Sequence, residues 1–232
     1  MKKTLLLFAV GVLLAGTAQA QVKQTRTVGT FNAVEAGGGV DVILTPGNTA
    51  AVVVEADSKA QPQLLTTVSN GRLQIRWEKT FGFGDSSYKR NAHVYVTCPP
   101  LKALAFSGGT SAHTTGTLSA NVLDLSVSGG ASAKLALKAA KLTSSISSGS
   151  TATLSGQADQ QHATVSSGAS YHAFALQSSR TEAEASSGAT AEVAVSGELS
   201  AAASSGGSVR YKGAARVLKS QSSSGGSVSK AN

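Results

Sequence analysis

The stretch ISSGST, Ile146–Thr151, is one of seven near-copies of a single phrase. FSGGTS begins at Phe106, VSGGAS at Val127, VSSGAS at Val165, ASSGAT at Ala185, ASSGGS at Ala203 and SSSGGS at Ser222. Aligned on Gly109, Gly130, Gly149, Gly168, Gly188, Gly206 and Gly225, the copies recur every 18 to 21 residues, a period close to 19–20. Self-similarity at that period marks a solenoid, in which each turn buries its apolar face only against its neighbours.

The aligned columns identify the turn as a β-coil. Three residues past each glycine stand Ala112, Ala133, Ala152, Tyr171, Ala191, Val209 and Val228. Two further on come Thr114, Leu135, Leu154, Ala173, Val193 and Tyr211. Between them lie His113, Lys134, Thr153, His172, Glu192 and Arg210, so the pattern alternates with period two, as a half-buried strand does. A second inward column, Phe106, Val127, Ile146, Val165, Ala185, Ala203 and Ser222, leads into each phrase. Helix-period stripes are missing, so helical repeats are a poor fit. A parallel β-solenoid is therefore predicted, with each phrase a sharp corner whose aligned glycine takes φ > 0. Stacked corners place Ser over Ser at about 4.8 Å, so hydroxyl ladders are expected there. Calcium-binding nonapeptide repeats need an Asp in every repeat, which these corners lack, and a flexible Gly/Ser linker would lack the apolar columns.

The first twenty residues read differently. Lys2 and Lys3, the apolar run Leu5–Leu14 and Ala18-Gln19-Ala20 form a secretory signal peptide, so residues 1–20 are expected to be removed and 21–232 to form one exported β-solenoid domain. No transmembrane segment is expected in the mature chain, and no cysteine follows the leader to accept a lipid. Cys98, the single cysteine, is expected to pack as a small apolar residue. Without Lys2 and Lys3 the formal charge falls from +8 to +6, thinly spread, which speaks against a nucleic-acid partner. It suits an anionic cell surface or polysaccharide.

Residues 21–100 lack the tight period. Strands are predicted at Val28–Val34, Val40–Leu44, Ala51–Ala56, Leu64–Val68, Arg72–Trp77 and His93–Cys98. Pro46-Gly47-Asn48 and Asn70-Gly71 are read as tight turns between neighbouring strands, and Ala36–Asp41 as a degenerate corner with Gly39 in the aligned place. Between two strands lies EKTFGFGDSSYKR, Glu78–Arg90. With Trp77 and Tyr95 this region holds five of the ten aromatic residues that follow the leader. Phe81, Phe83, Tyr88, Lys89 and Arg90 are the candidate contacts for a glycan or surface protein, the alternative being a loop that caps the open end of the core.

RTVGTFNAVEAGGGVDVILTPGN (Arg26–Asn48), NGRLQIRW (Asn70–Trp77), HVYVTCPPLKALAFSGGTS (His93–Ser111) and the serine-glycine corners after them, in that order, resemble the head GIN domain family of auto-transporter adhesin heads in exported Bacteroidetes proteins. The resemblance covers nearly the whole mature chain. It implies a right-handed parallel β-helix and an adhesin-like role, and it supplies no catalytic residue. An autotransporter carries a membrane barrel downstream, whereas this sequence ends at Asn232 just past the last repeat, so self-export is not expected.

Because β-helices include polysaccharide lyases and hydrolases, chemistry is tested on residues. Glu182 and Glu184 share a strand face at about 7 Å, a spacing that would serve paired carboxylates, yet a solvated face is the preferred reading. His113 and His172 share a column three turns, about 14 Å, apart, too far to share a metal. No G-x-S-x-G elbow is present. Ice binding is disfavoured because His, Lys, Glu and Arg interrupt any regular hydroxyl array. The expected function is a non-enzymatic adhesin-like interaction or structural module, periplasmic or at the cell surface. No cofactor or metal is expected.

Overall fold

The computed structural model describes residues 21–78 and 91–231. The expected signal peptide lies outside them. The chain is all-β, with parallel coils stacked into a solenoid of about seven turns. Its strands are β1 (Val22–Arg26), β2 (Ala33–Gly37), β3 (Asp41–Pro46), β4 (Ala51–Ala56), β5 (Leu64–Ser69), β6 (Arg72–Trp77), β7 (Ala92–Cys98) and β8 (Ala103–Ser107) in the front half. The repeats supply β9 (Ser111–Val127), β10 (Ser132–Ile146), β11 (Thr151–Val165), β12 (Ser170–Ala185), β13 (Thr190–Ala203), β14 (Ser208–Lys212), β15 (Arg216–Ser222) and β16 (Ser227–Lys230).

From β9 to β13 each strand pairs in parallel with the next, and β13 then pairs with both β14 and β15, so the sequence period becomes a spatial register. Ala133 lies opposite Ala112 and Ala152, and Ile146 opposite Val127 and Val165. Both inward columns are buried over most of their length: Leu135, Leu154, Ala173 and Val193 in one, Phe106, Val127, Ile146 and Val165 in the other. Each fully buried Leu, Ile, Val or Phe contributes roughly 1.5–3 kcal/mol from water exclusion. Tyr171 fits because its column neighbours are Ala152 and Ala191, large against small. Burial pushes its phenol above the ordinary value, with Ser144 pulling the other way. Thr114 departs from its predicted column: β9 bulges there, and the Thr114 hydroxyl accepts a hydrogen bond from Ala136 N at 2.9 Å.

The corners are hairpin-type turns. Ser107 O accepts from Thr110 N, Ser128 O from Ala131 N and Ser147 O from Ser150 N, and both central residues have positive φ. The aligned glycine is therefore only the second left-handed residue; Ser148, Ser167, Ser187, Ser205 and Ser224 occupy the first, at φ 47° to 56°. In the corners at Gly108 and Gly129 that place is tight for a side chain. A Cβ on Gly108 would meet Gly38 N at 3.2 Å, and one on Gly129 would meet Gly108 N at 3.1 Å. Main chain also joins successive corners: Gly130 N donates to Ser148 O, Gly149 N to Ser167 O, and so on to Gly206 N and Ser224 O. The predicted hydroxyl stacking is confined to contacts such as Ser227 with Ser208, at 3.3 Å. Most of the ladder is backbone because an amide reaches the coil above without ordering a side chain.

The front half differs from the sequence expectation in two ways. The strand predicted at Val28–Val34 is instead β2, which starts at Ala33, and β1 precedes it at Val22–Arg26. Asn32 and Ala33 both donate backbone N–H groups to Gly71 O, which sets where β2 begins. The predicted turn at Pro46-Gly47-Asn48 does not join neighbours, since β7 lies between β3 and β4. Gly47 N instead donates to Cys98 O and ties β3 to β7. The Asn70-Gly71 turn does join neighbours, β5 and β6, with both residues at positive φ. β6 stacks in parallel beyond β2 and β7 in parallel beyond β3, so a later piece of chain forms an earlier coil. Antiparallel β5, β4 and β1 close that end. Gln61 is buried beneath them, donating to the carbonyls of Val22 and Val54, while Arg26 donates to Gln61 O and Oε1 at 2.6 and 3.0 Å.

Where coils touch, backbone room decides which glycines are replaceable. A Cβ on Gly156, at φ 109°, would lie 2.0 Å from Leu137 O, whereas one on Gly149, at φ 68°, meets nothing within 4 Å. Gly156→Ala should cost about 3 kcal/mol or more, against roughly 1–2 kcal/mol for Gly149→Ala. Urea unfolding of the two variants checks this, and equal losses would refute the coil-contact reading.

Candidate functional site

The predicted contact residues Phe81, Phe83, Tyr88, Lys89 and Arg90 lie outside the described residues. Their anchors do not. β6 ends at Trp77 and β7 begins at Ala92, and these strands flank the same corner position that Gly38-Gly39 fills between β2 and β3. Trp77 is buried, donating Nε1–H to Gly38 O at 2.9 Å, so it belongs to the scaffold rather than to an exposed aromatic cluster. A Cβ on Gly38 would strike the Trp77 ring at 2.8 Å, which fixes glycine there. Glu78 N donates to Gln63 O at 2.7 Å.

Tyr95 faces outward from β7 and is 36% exposed. Its hydroxyl donates to Glu55 Oε2 at 2.8 Å, and Lys23 sits 5.3 Å above the ring while lying 3.5 Å from Glu55. His93 Nδ1 is 3.3 Å from Asp41 Oδ2 on the same sheet face. Lys23, Glu55, Tyr95, His93 and Asp41 thus form a polar, partly aromatic patch that starts next to the segment 79–90. The hydrogen bond from Tyr95 holds the Glu55 carboxyl below its ordinary value and, reciprocally, raises the Tyr95 phenol.

Along the repeats the outer columns carry interstrand clamps. Glu192 binds His172 Nδ1 at 2.8 Å and Arg210 Nη1 at 2.9 Å. Glu198 accepts from Arg180 Nε at 3.0 Å and Arg216 Nη2 at 2.5 Å. Glu182 is 3.1 Å from His162 Nδ1, so one member of the candidate carboxylate pair is already joined to the neighbouring coil. Sequence reading by type alone passes over these clamps, yet the signal was available. Residues 180, 198 and 216 are spaced at the repeat length, which places them in one column. His113 and His172 do share a column, with Lys134 and Thr153 between them.

Surface grooves among the described residues include four of about 280 to 600 Å³. One, about 600 Å³, is lined by His113, Thr114, Lys134, Leu135 and small residues. Another, about 380 Å³, gathers Lys141, Gln160, His162, Arg180 and Glu182. Each of these four has at most one carboxylate in its lining. No group of three or more His, Cys, Asp or Glu side chains able to hold a metal occurs among the described residues. Among the same residues no helix is long and apolar enough to cross a membrane.

The sequence profile described as "Putative auto-transporter adhesin, head GIN domain" matches residues 30–215. The chain belongs to this family. Crystal structures described as putative adhesins show the same fold. One from Bacteroides fragilis NCTC 9343 has a TM-score of 0.82 at 19% identity, covering 92% of this chain and 97% of that one. Another, from Parabacteroides distasonis ATCC 8503, has a TM-score of 0.73 at 20% identity, covering 92% and 98%. A third, described as a putative lipid binding protein from the same Parabacteroides strain, has a TM-score of 0.67 at 17% identity, covering 93% and 98%. No protein in a search of curated sequences matched. In this head GIN domain chain the corner phrases and the Trp77–Gly38 contact serve the scaffold.

Two titrations follow. Arg216 first and Arg180 second hold Glu198 below its ordinary value of 4.5. A depressed carboxyl stabilises the fold above its unfolded pKa and loses that contribution as pH falls through the folded value. Glu198→Gln should therefore lower the Tm at pH 7, with the deficit shrinking to nothing as pH drops below the carboxylate range; a deficit constant with pH would contradict the clamp. Cys98 is 1% exposed and burial pushes its thiol up to about 11. It should stay unreactive toward a disulfide reagent at pH 8 until the protein is unfolded, and prompt labelling of native protein would contradict its placement.

Proposed function

We propose that the chain works as a non-enzymatic, exported β-solenoid that presents an adhesin-like contact surface in the periplasm or at the cell surface. The observation that carries this is the use made of the outer-face carboxylates. Glu182, Glu192 and Glu198 join one coil to the next, so these charged columns stiffen a rod instead of gathering about one reacting bond. Family membership supports the adhesin-like part of the reading, and the leader pattern at residues 1–20 supports export.

The contact is proposed at the insertion, with Phe81, Phe83, Tyr88, Lys89 and Arg90 extending the patch of Tyr95, His93 and Lys23. Aromatic rings beside cations suit sugar rings or a protein surface, and solenoids place binding features in insertions that leave the regular coil. Replacing residues 79–90 by a short Gly-Ser turn should abolish adhesion to glycan- or protein-coated surfaces with little change in Tm. A large drop in Tm would show instead that the loop is a lid. Turnover of an anionic polysaccharide by the purified chain, lost in Glu182→Gln/Glu184→Gln, would replace this proposal with the lyase or hydrolase reading. Fractionation of the producing cells checks export, and retention of the full-length chain in the cytoplasm would count against it.

A further inference from the structure

The two ends of the solenoid are built differently. At the front, antiparallel strands and buried Gln61 close the core. At the back, β15 pairs only with β13 and β16 only with β14, so each has one free edge among the described residues. Every residue of β15 is exposed, with Val217 at 40% and Leu218 at 54%. The inward positions of β15 are Val217, opposite Leu199, and Ser220 and Ser222, opposite Ala201 and Ala203, so the last apolar layer is thin and gives way to hydroxyls that tolerate water. The corner ladder also ends here, with Gly225 N–H the next amide in a series whose earlier members all donate to the following corner.

Charge says what fits this edge. After Glu198 the sequence contains no Asp or Glu but five cations: Arg210, Lys212, Arg216, Lys219 and Lys230. Arg210 and Arg216 are held by Glu192 and Glu198 of the preceding coil, while Lys219 and Lys230 have no ion pair among the described residues. In one column the order is Arg180, Glu198, Arg216, and the next place in that alternation calls for an acid. A second copy meeting this end with its own would set cations against cations, and lysines on an open edge keep identical edges apart. The same cations attract an extended acidic strand.

We infer that the C-terminal coil is a docking edge on which a partner protein adds an acidic, extended segment as a further β-strand, with its backbone continuing the ladder and its carboxylates meeting Arg216, Lys219 and Lys230. This surface is separate from the insertion at 79–90, and either proposal stands if the other fails. The test uses the exported chain and a labelled ten-residue peptide alternating Glu with Val and Thr. Binding is expected, with new amide-exchange protection in 216–222 or 227–230. Lys219→Glu/Lys230→Glu should weaken binding about tenfold or more, while a peptide with Lys in place of Glu should bind that variant about tenfold better than it binds the original chain. Both substitutions are at exposed side chains, so an unchanged Tm keeps the comparison clean. The inference is overturned if the peptide does not bind or binds without protecting these strands. It is overturned equally if polyglutamate or an anionic polysaccharide binds as tightly with no protection, or if sedimentation shows the chain pairing with itself through these edges.

Discussion

The amide-to-carbonyl step from one corner to the next is the constraint on which the rest of the structure depends. From Gly109 N to Gly129 O through Gly206 N to Ser224 O, the same backbone contact recurs at each coil. It requires two consecutive residues at positive φ. A serine there is about 1–2 kcal/mol worse than in a right-handed conformation, and the turn and ladder hydrogen bonds, each worth about 0.5–1.5 kcal/mol net, offset that cost. Once the corners are superposed, every strand must start in register with the one above, and the inward and outward columns follow.

Register then decides what the surface is able to do. A charged residue placed outward in one coil stands about 4.8 Å from its counterparts in the coils on either side, so an acid between two cations is shared by both. Glu198, between Arg180 and Arg216, is such a residue, and Glu192 is shared in the same way by the His172 ring and Arg210. Part of the regular face thus becomes a set of clamps that hold coils together. Distinctive chemistry is displaced to the places where register is broken: the bulges in β9 and β12, the segment between β6 and β7, and the two ends.

Those ends also show how a one-dimensional stack meets water. The front end departs from sequential winding, inserting β7 between β3 and β4 and folding β5, β4 and β1 back antiparallel over the core. The back end keeps winding and changes composition instead, with serines inward and cations outward. Both ends keep open strand edges among the described residues, β1 and β5 at the front and β15 and β16 at the back, but only the front folds antiparallel strands beside them.

The repeats were legible in the sequence because a parallel coil maps spatial neighbours onto a fixed chain spacing. The glycine at each corner, the inward columns of Leu135, Leu154 and Val193, and the burial of Cys98 follow from periodicity and residue type. The Arg180-Glu198-Arg216 clamp is written in the same spacing. Local turn chemistry carried the Asn70-Gly71 hairpin as well. Tertiary structure alone decided that β6 and β7 form a coil outside β2 and β3, that Pro46-Gly47-Asn48 leads past an inserted strand, and that Trp77 serves the scaffold by closing on Gly38. The physical reason is that pairing between non-sequential strands is set by which edges remain open after the coil has stacked, and no local spacing along the chain encodes that choice.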